Sequence, residues 1–116
     1  MCTKNELDMI LNDFVEGTKD IFGTKLKNIV LFGSYARGDY DKESDVDIAV
    51  LVDIPREEER FYIDDIVALI SEVDKKYSYA VLLAPIILSN SFFEEWQDTI
   101  PFYGAVKNEG VRLIAG

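Results

Sequence analysis

At 116 residues and 48% hydrophobic side chains, the chain has the length of one domain and can bury one core without staples. Its 22 acidic and 12 basic side chains leave a net charge of −10, the reverse of the basic footprint that neutralises nucleic-acid phosphates, which argues against direct nucleic-acid binding. A lone Cys2 and no histidine remove internal disulfides, thiolate clusters, histidine-ligated zinc and the Ser-His and Cys-His nucleophile systems, so any metal must be held by oxygen: magnesium, manganese or calcium.

The first segment, Lys4-Asn5-Glu6, lacks the basic-then-apolar pattern of a signal peptide, so a cytoplasmic location is expected. Residues 5–22 read as an amphipathic helix, because Leu7, Ile10, Leu11, Phe14, Thr18, Ile21 and Phe22 recur at three- and four-residue steps. Thr3 with Glu6 forms a candidate capping box, and Gly23 a candidate stop. An apolar run then predicts a strand over 28–33, and Gly33 to Arg37 leaves it as a short helix ending at Gly38.

A second strand is expected over 45–52, with Asp45, Asp47, Ala49 and Leu51 on one face and Val46, Ile48, Val50 and Val52 on the other. Pro55 breaks the pattern. A long helix is predicted from about Glu57 to Tyr77, its core stripe being Tyr62, Ile66, Leu69, Ile70, Val73 and Tyr77. A third strand is placed at Tyr79 to Leu88. Its nine-residue apolar stretch contains Pro85 and falls well short of the ~20 residues that span a bilayer, so no membrane segment is expected. Ser91 with Glu94 is the expected cap of a short helix carrying Phe92, Phe93 and Trp96. Pro101 suits the first position of a last helix and Gly110 its end, before a short strand over Val111 to Ile114.

The connection from Gly38 to Ser44 is too short for a helical crossover, so the first two strands should pair antiparallel. The expected fold is α/β of the α+β kind: a small mixed β-sheet packed with helices, in a single domain over 1–116.

Chemistry concentrates where those two strands meet. Asp45 and Asp47, one residue apart on a strand, project from the same face and can converge on one site. Two like charges at the mouth of a buried strand are costly unless a cation compensates. A glycine-serine turn beside paired carboxylates is what a magnesium-nucleotide site requires. Other readings fail on detail. Gly33 and Gly38 have P-loop spacing, but Asp39-Tyr40 stands where Lys-Ser/Thr is needed. The acids from Asp39 to Asp47 fit an EF-hand in neither register, because the required Gly and Glu positions hold Ser44 and Val50, or Val46 and Val52. Asp39, Asp41 and Glu43 then read as a solvated acidic loop.

Leu31-Phe32-Gly33-Ser34-Tyr35-Ala36-Arg37-Gly38 with Ser44-Asp45-Val46-Asp47 closely resembles the minimal nucleotidyltransferases of the DNA polymerase beta superfamily. That signature, G-S, a ten-residue gap and D-x-D, is complete here, and the likeness extends to the tail, Pro101-Phe102-Tyr103 and Lys107-Asn108-Glu109-Gly110-Val111. The resemblance implies the nucleotidyltransferase fold and transfer of a nucleotide from ATP or another NTP, with release of pyrophosphate. Asp45 and Asp47 would be the catalytic pair and the ligands of Mg2+ or Mn2+. Gly33, Ser34, Arg37 and Ser44 would form the nucleotide-binding set, with Gly33 permitting close approach to the triphosphate and Ser34 offering a hydroxyl and an N–H.

Arg37 has two readings, steadying phosphate charge or pairing with Asp39 or Asp41. Ser44 also reads as a turn residue that orients the following strand. Tyr35 either stacks on a base or lines the sheet.

Active relatives commonly add a third carboxylate on a later strand, and Tyr79 to Leu88 holds no Asp or Glu. Nor is there length for an acceptor domain. Resembling proteins are often antitoxins of a helical HEPN ribonuclease toxin, attaching AMP to a toxin tyrosine. The implied function is therefore AMP transfer to such a partner, in a hetero-oligomer or as a homodimer. The alternative is a catalytically weak or inactive nucleotide-binding antitoxin; transfer to a small molecule is a third option without an evident acceptor-binding domain.

Overall fold

The computed structural model describes residues 4–41 and 44–114; Thr3, half of the expected capping box, lies outside them. Its framework is a four-stranded mixed sheet in the order β3-β2-β1-β4. Strand β1 (Leu26–Phe32) pairs antiparallel with β2 (Val46–Val52), as the short connection demands. Strand β3 (Leu83–Ser89) runs parallel to β2, and the short β4 (Val111–Arg112) pairs antiparallel with β1.

Each face of the sheet has its own core. On one side α1 (Lys4–Phe22) and α3 (Ile63–Lys76) set Ile10, Phe14, Ile66 and Leu69 against Val46, Ile48 and Val50. On the other, Phe93 of α4 (Asn90–Trp96) and Tyr103 and Val106 of α5 (Pro101–Glu109) meet Val30, Ala49, Leu51 and Leu88. β2 is central and buried on both faces, which explains its nearly unbroken apolar run. Burial of each such side chain is worth about 1.5–3 kcal/mol relative to exposure. Thr18, the one buried polar residue of α1, donates its hydroxyl to the Phe14 carbonyl at 2.8 Å. Asp13 of α1 accepts from Lys76 Nζ at 2.8 Å and Tyr77 OH at 2.6 Å, which ties α1 to the end of α3.

Several boundaries differ from expectation. The helix predicted from Glu57 is split: Arg56–Tyr62 is 3₁₀, and α3 begins only at Ile63. Tertiary contacts pull the first part sideways, since the Arg56 guanidinium lies 4.1 Å from the Phe92 ring centroid and Glu59 accepts the Ser89 N–H at 2.7 Å. β3 starts later than Tyr79, because Ser78 and Tyr79 take left-handed φ values of 55° and 57° in closing α3. Ser89 rather than Ser91 caps α4: its Oγ accepts the Phe92 N–H, while Ser91 Oγ shares a hydrogen bond with it. Pro101 occupies the first turn of α5 as expected. Gly110 does follow α5, but at φ −68° it supplies space, not a left-handed turn: a Cβ there would strike the Val106 carbonyl and the Val30 side chain. Among the described residues no helix is long and apolar enough to cross a membrane.

Candidate nucleotide site

β1 ends at Phe32, whose Cα partner across the ladder is Asp47. The chain then turns at Gly33 with φ 74° and ψ −154°, a conformation open to glycine and strained for any residue with a Cβ. Four residues of helix follow, α2 (Ser34–Arg37), closed by Gly38 at φ 86°. The Gly33 carbonyl accepts from Ala36 N and Arg37 N at 3.1 and 3.0 Å, so the first turn is held by the glycine's own backbone.

The glycine turn and the carboxylates meet directly. A Cβ built on Gly33 would collide with Oδ2 of Asp47, so the bare Cα is the space in which that carboxylate sits. Asp47 is half-buried and Asp45, one residue before β2, is exposed. The Asp47 carboxyl is pushed up from the ordinary carboxylate value, first by burial and then by the charge of Asp45, while Arg37 pulls the other way. Three of the sequence-predicted residues therefore share one electrostatic neighbourhood, with acid in excess.

Ser34 opens α2, and its hydroxyl has no hydrogen-bond partner among the described residues. Arg37 forms the expected ion pair with Asp39, Nε to Oδ2 at 3.2 Å, and adds an unexpected one with Glu109, Nη1 to Oε1 at 3.1 Å. Glu109 lies 72 residues away at the end of α5, and no local pattern links the two. Ser44 closes the acidic loop, its Oγ accepting the Asp41 N–H at 3.0 Å. Tyr35 packs on the α1/α3 core and is stacked by Tyr40, rings 4.1 Å apart and 7° from parallel. The face it offers is thus covered by another ring.

A divalent ion fits the two carboxylates chemically. The donors are oxygens, Asp47 sits against the Gly33 turn, and its burial together with the nearby Asp45 charge raises the cost of its ionised form until a cation offsets it. A third ligand is not gathered: among the described residues no group of three acidic, histidine or cysteine side chains could hold a metal. On β3, Ala84 stands across from Asp47. Glu94 accepts from Asn90 at 3.3 Å, and Asp98 pairs with Lys107 at 2.6 Å, both away from the carboxylate pair in chain position.

A second surface feature flanks β3, one of the two edge strands. Ile63, Val67 and Ile70 of α3 with Pro85 and Ile87 line an open apolar groove of about 430 Å³. Phe61 is 64% exposed, and Val67 within the groove is 53% exposed.

Comparisons with known proteins bear on the family and the fold. Residues 11–101 match the family described as Nucleotidyltransferase domain. The chain is 37% identical over 100 residues to Putative protein adenylyltransferase MJ0141 of Methanocaldococcus jannaschii, covering 85% of this chain and 96% of that protein. It is 34% identical over 85 residues to Putative protein adenylyltransferase MJ0604 of the same organism, covering 73% of this chain and 76% of the relative. Among solved structures it resembles a toxin-antitoxin MntA-HpeT complex (TM-score 0.56, 20% identity, 90% of this chain and 73% of that one) and a toxin-antitoxin with AMP-PNP (TM-score 0.52, 20% identity, the same coverage). At that identity the structural likeness speaks for the fold. The matched family model and the curated relatives establish the rest: the chain belongs to the nucleotidyltransferase-domain family and is a nucleotidyltransferase.

Proposed function

We propose that this protein is a magnesium-dependent adenylyltransferase of the cytoplasm that carries AMP from ATP to a hydroxyl of a HEPN-type toxin, and so acts as the antitoxin of that pair. The observation that supports it most is the contact between Gly33 and the Asp47 carboxylate, which joins the glycine-serine turn to the D-x-D strand. The relatives named protein adenylyltransferases and the toxin-antitoxin neighbours support the same reading.

In this reading Asp45 and Asp47 hold the divalent ion with the triphosphate. Bound there, Mg2+ neutralises phosphate charge and lowers the pKa of the attacking hydroxyl. The bare Cα of Gly33 admits the phosphates, the Ser34 hydroxyl donates to one of their oxygens, and Arg37 offers them its remaining N–H groups. The partner's hydroxyl oxygen attacks the α-phosphorus, the bond to the bridging oxygen breaks, and pyrophosphate leaves. The hydroxyl proton goes to water or a phosphate oxygen, since β3 contributes no base. General-base assistance is typically worth ~100- to 10,000-fold, so transfer is slow for its class.

The chain's charge of −10 points to a partner with a basic surface and makes self-association on the apolar groove unfavourable. The groove beside β3 suits that partner. Val67→Asp should weaken binding of the toxin partner by at least about tenfold, the cost of a buried unpaired charge. Mg–ATP affinity should not move, and calorimetry with each ligand separates the two effects.

The direct test is label transfer. With Mg2+ and the partner present, α-labelled ATP should mark the partner and γ-labelled ATP should not. The reverse pattern would contradict nucleotide transfer. A second reading, a non-catalytic antitoxin, is favoured by Ala84 standing where a carboxylate would help. It requires that a variant lacking both Asp45 and Asp47 still neutralise the toxin.

A further inference from the structure

The geometry points to Glu109 as a positioning residue of the nucleotide site: it holds the Arg37 guanidinium so that its free edge faces a bound triphosphate. This rests on the proposed nucleotide site. The physical need comes from α2. With four residues between Gly33 and Gly38, both at positive φ, it is too short to be stable by itself and can swivel at either end. Arg37, its last residue, would be carried with any such motion.

Of Arg37's two partners, Asp39 cannot prevent this. It lies two residues along the same exposed loop and moves with α2. Glu109 belongs to a different body. It ends the nine-residue helix α5, Gly110 behind it is wedged against Val106 and Val30, and β4 then pairs with Val30 and Leu31. Glu109 is thereby fixed to β1, the strand that delivers Gly33. The Arg37–Glu109 bond at 3.1 Å closes a ring from β1 through Gly33 and α2, across to α5, and back through β4 to β1.

The guanidinium has donors to spare. Five N–H groups radiate from it, Nε and Nη1 serve the two carboxylates, and Nη2 has no partner among the described residues. Glu109 therefore orients Arg37 without consuming the edge a phosphate would use. Its influence reaches Asp47 as well, because the Arg37 charge acts on that carboxylate.

Calorimetric titration of Mg–AMP-PNP into the full chain tests this. Glu109→Ala should weaken binding about five- to tenfold, and the isosteric Glu109→Gln, which keeps an acceptor, should recover much of the loss. Arg37→Met should also weaken binding. In the Arg37→Met background, Glu109→Ala should add nothing further, a coupling that a merely structural role would not produce. Thermal melts of each variant identify any that fail to fold, and the Gln variant then carries the comparison. Wild-type affinity in Glu109→Ala with a weakened Arg37→Met would overturn the inference, as would simple additivity. Wild-type affinity in Arg37→Met would overturn it and remove Arg37 from the site, while label transfer by the Asp45 and Asp47 variants judges the nucleotide site separately.

Discussion

Asp47→Asn is expected to cut AMP transfer by at least about a thousandfold, roughly 4 kcal/mol of barrier, while making the metal-free protein more stable. The activity loss follows from removing one of two metal-holding carboxylates. The stability gain follows from the sign of its proton linkage. Burial first, and then the Asp45 charge, raise the Asp47 carboxyl above the ordinary carboxylate value in the folded state. Between the ordinary value and the raised one, the folded chain binds more protons than the unfolded chain, so stability falls as pH rises through that window and the cost is fully present above it. The amide carries no such cost. Thermal melts without metal should thus show Asp47→Asn ahead of the parent at pH 8, with the gap closing on acidification to below the ordinary carboxylate range. A variant less stable than its parent at pH 8 would mean that the carboxylate is well accommodated without a cation. Asp45→Asn should abolish transfer similarly. Asp45 is exposed, so its gain in stability should be smaller and arise through relief of Asp47.

Gly33→Ala is expected to lose stability and activity together. An L-residue at φ 74° and ψ −154° carries backbone strain, and its Cβ would displace the Asp47 carboxylate. The two effects together should cost about 2–3 kcal/mol, measurable by denaturant unfolding, and transfer should fall more than about a hundredfold as the carboxylate moves. Gly38 supplies the contrast. Its φ of 86° also favours glycine, yet nothing lies within 4 Å of a Cβ there. Gly38→Ala should therefore cost only about 1 kcal/mol and retain most of the activity. If the two variants lose activity equally, the Gly33–Asp47 contact has no special role.

The motif was legible in the sequence because it depends on short-range geometry. An apolar run delivers Gly33 beside Asp47, and Asp45, just ahead of β2, stays near enough for its charge to act on Asp47. The mixed sheet was legible for a similar reason, since the short connection from Gly38 to Ser44 leaves the first two strands little choice but to pair antiparallel. What local patterns missed was decided by distant contacts. The segment from Arg56 to Tyr62 departs from α-helix because Phe92 and Ser89, about thirty residues on, engage Arg56 and Glu59. Ser89 displaced Ser91 as the cap because β3 runs one residue further than its apolar pattern. Glu109 lies 72 residues from Arg37, and only the folded chain brings the two together. Its one sequence signal is an unexplained acid immediately before Gly110, which by itself predicts nothing.

The most direct test of the shared site is a crystal of the full chain soaked with Mn2+ and AMP-PNP, in which the metal is located by its anomalous scattering. A peak is expected within bonding distance of both the Asp45 and Asp47 carboxylates, with the triphosphate lying along Gly33 and Ser34. A nucleotide and metal bound elsewhere, with those carboxylates left unliganded, would contradict it.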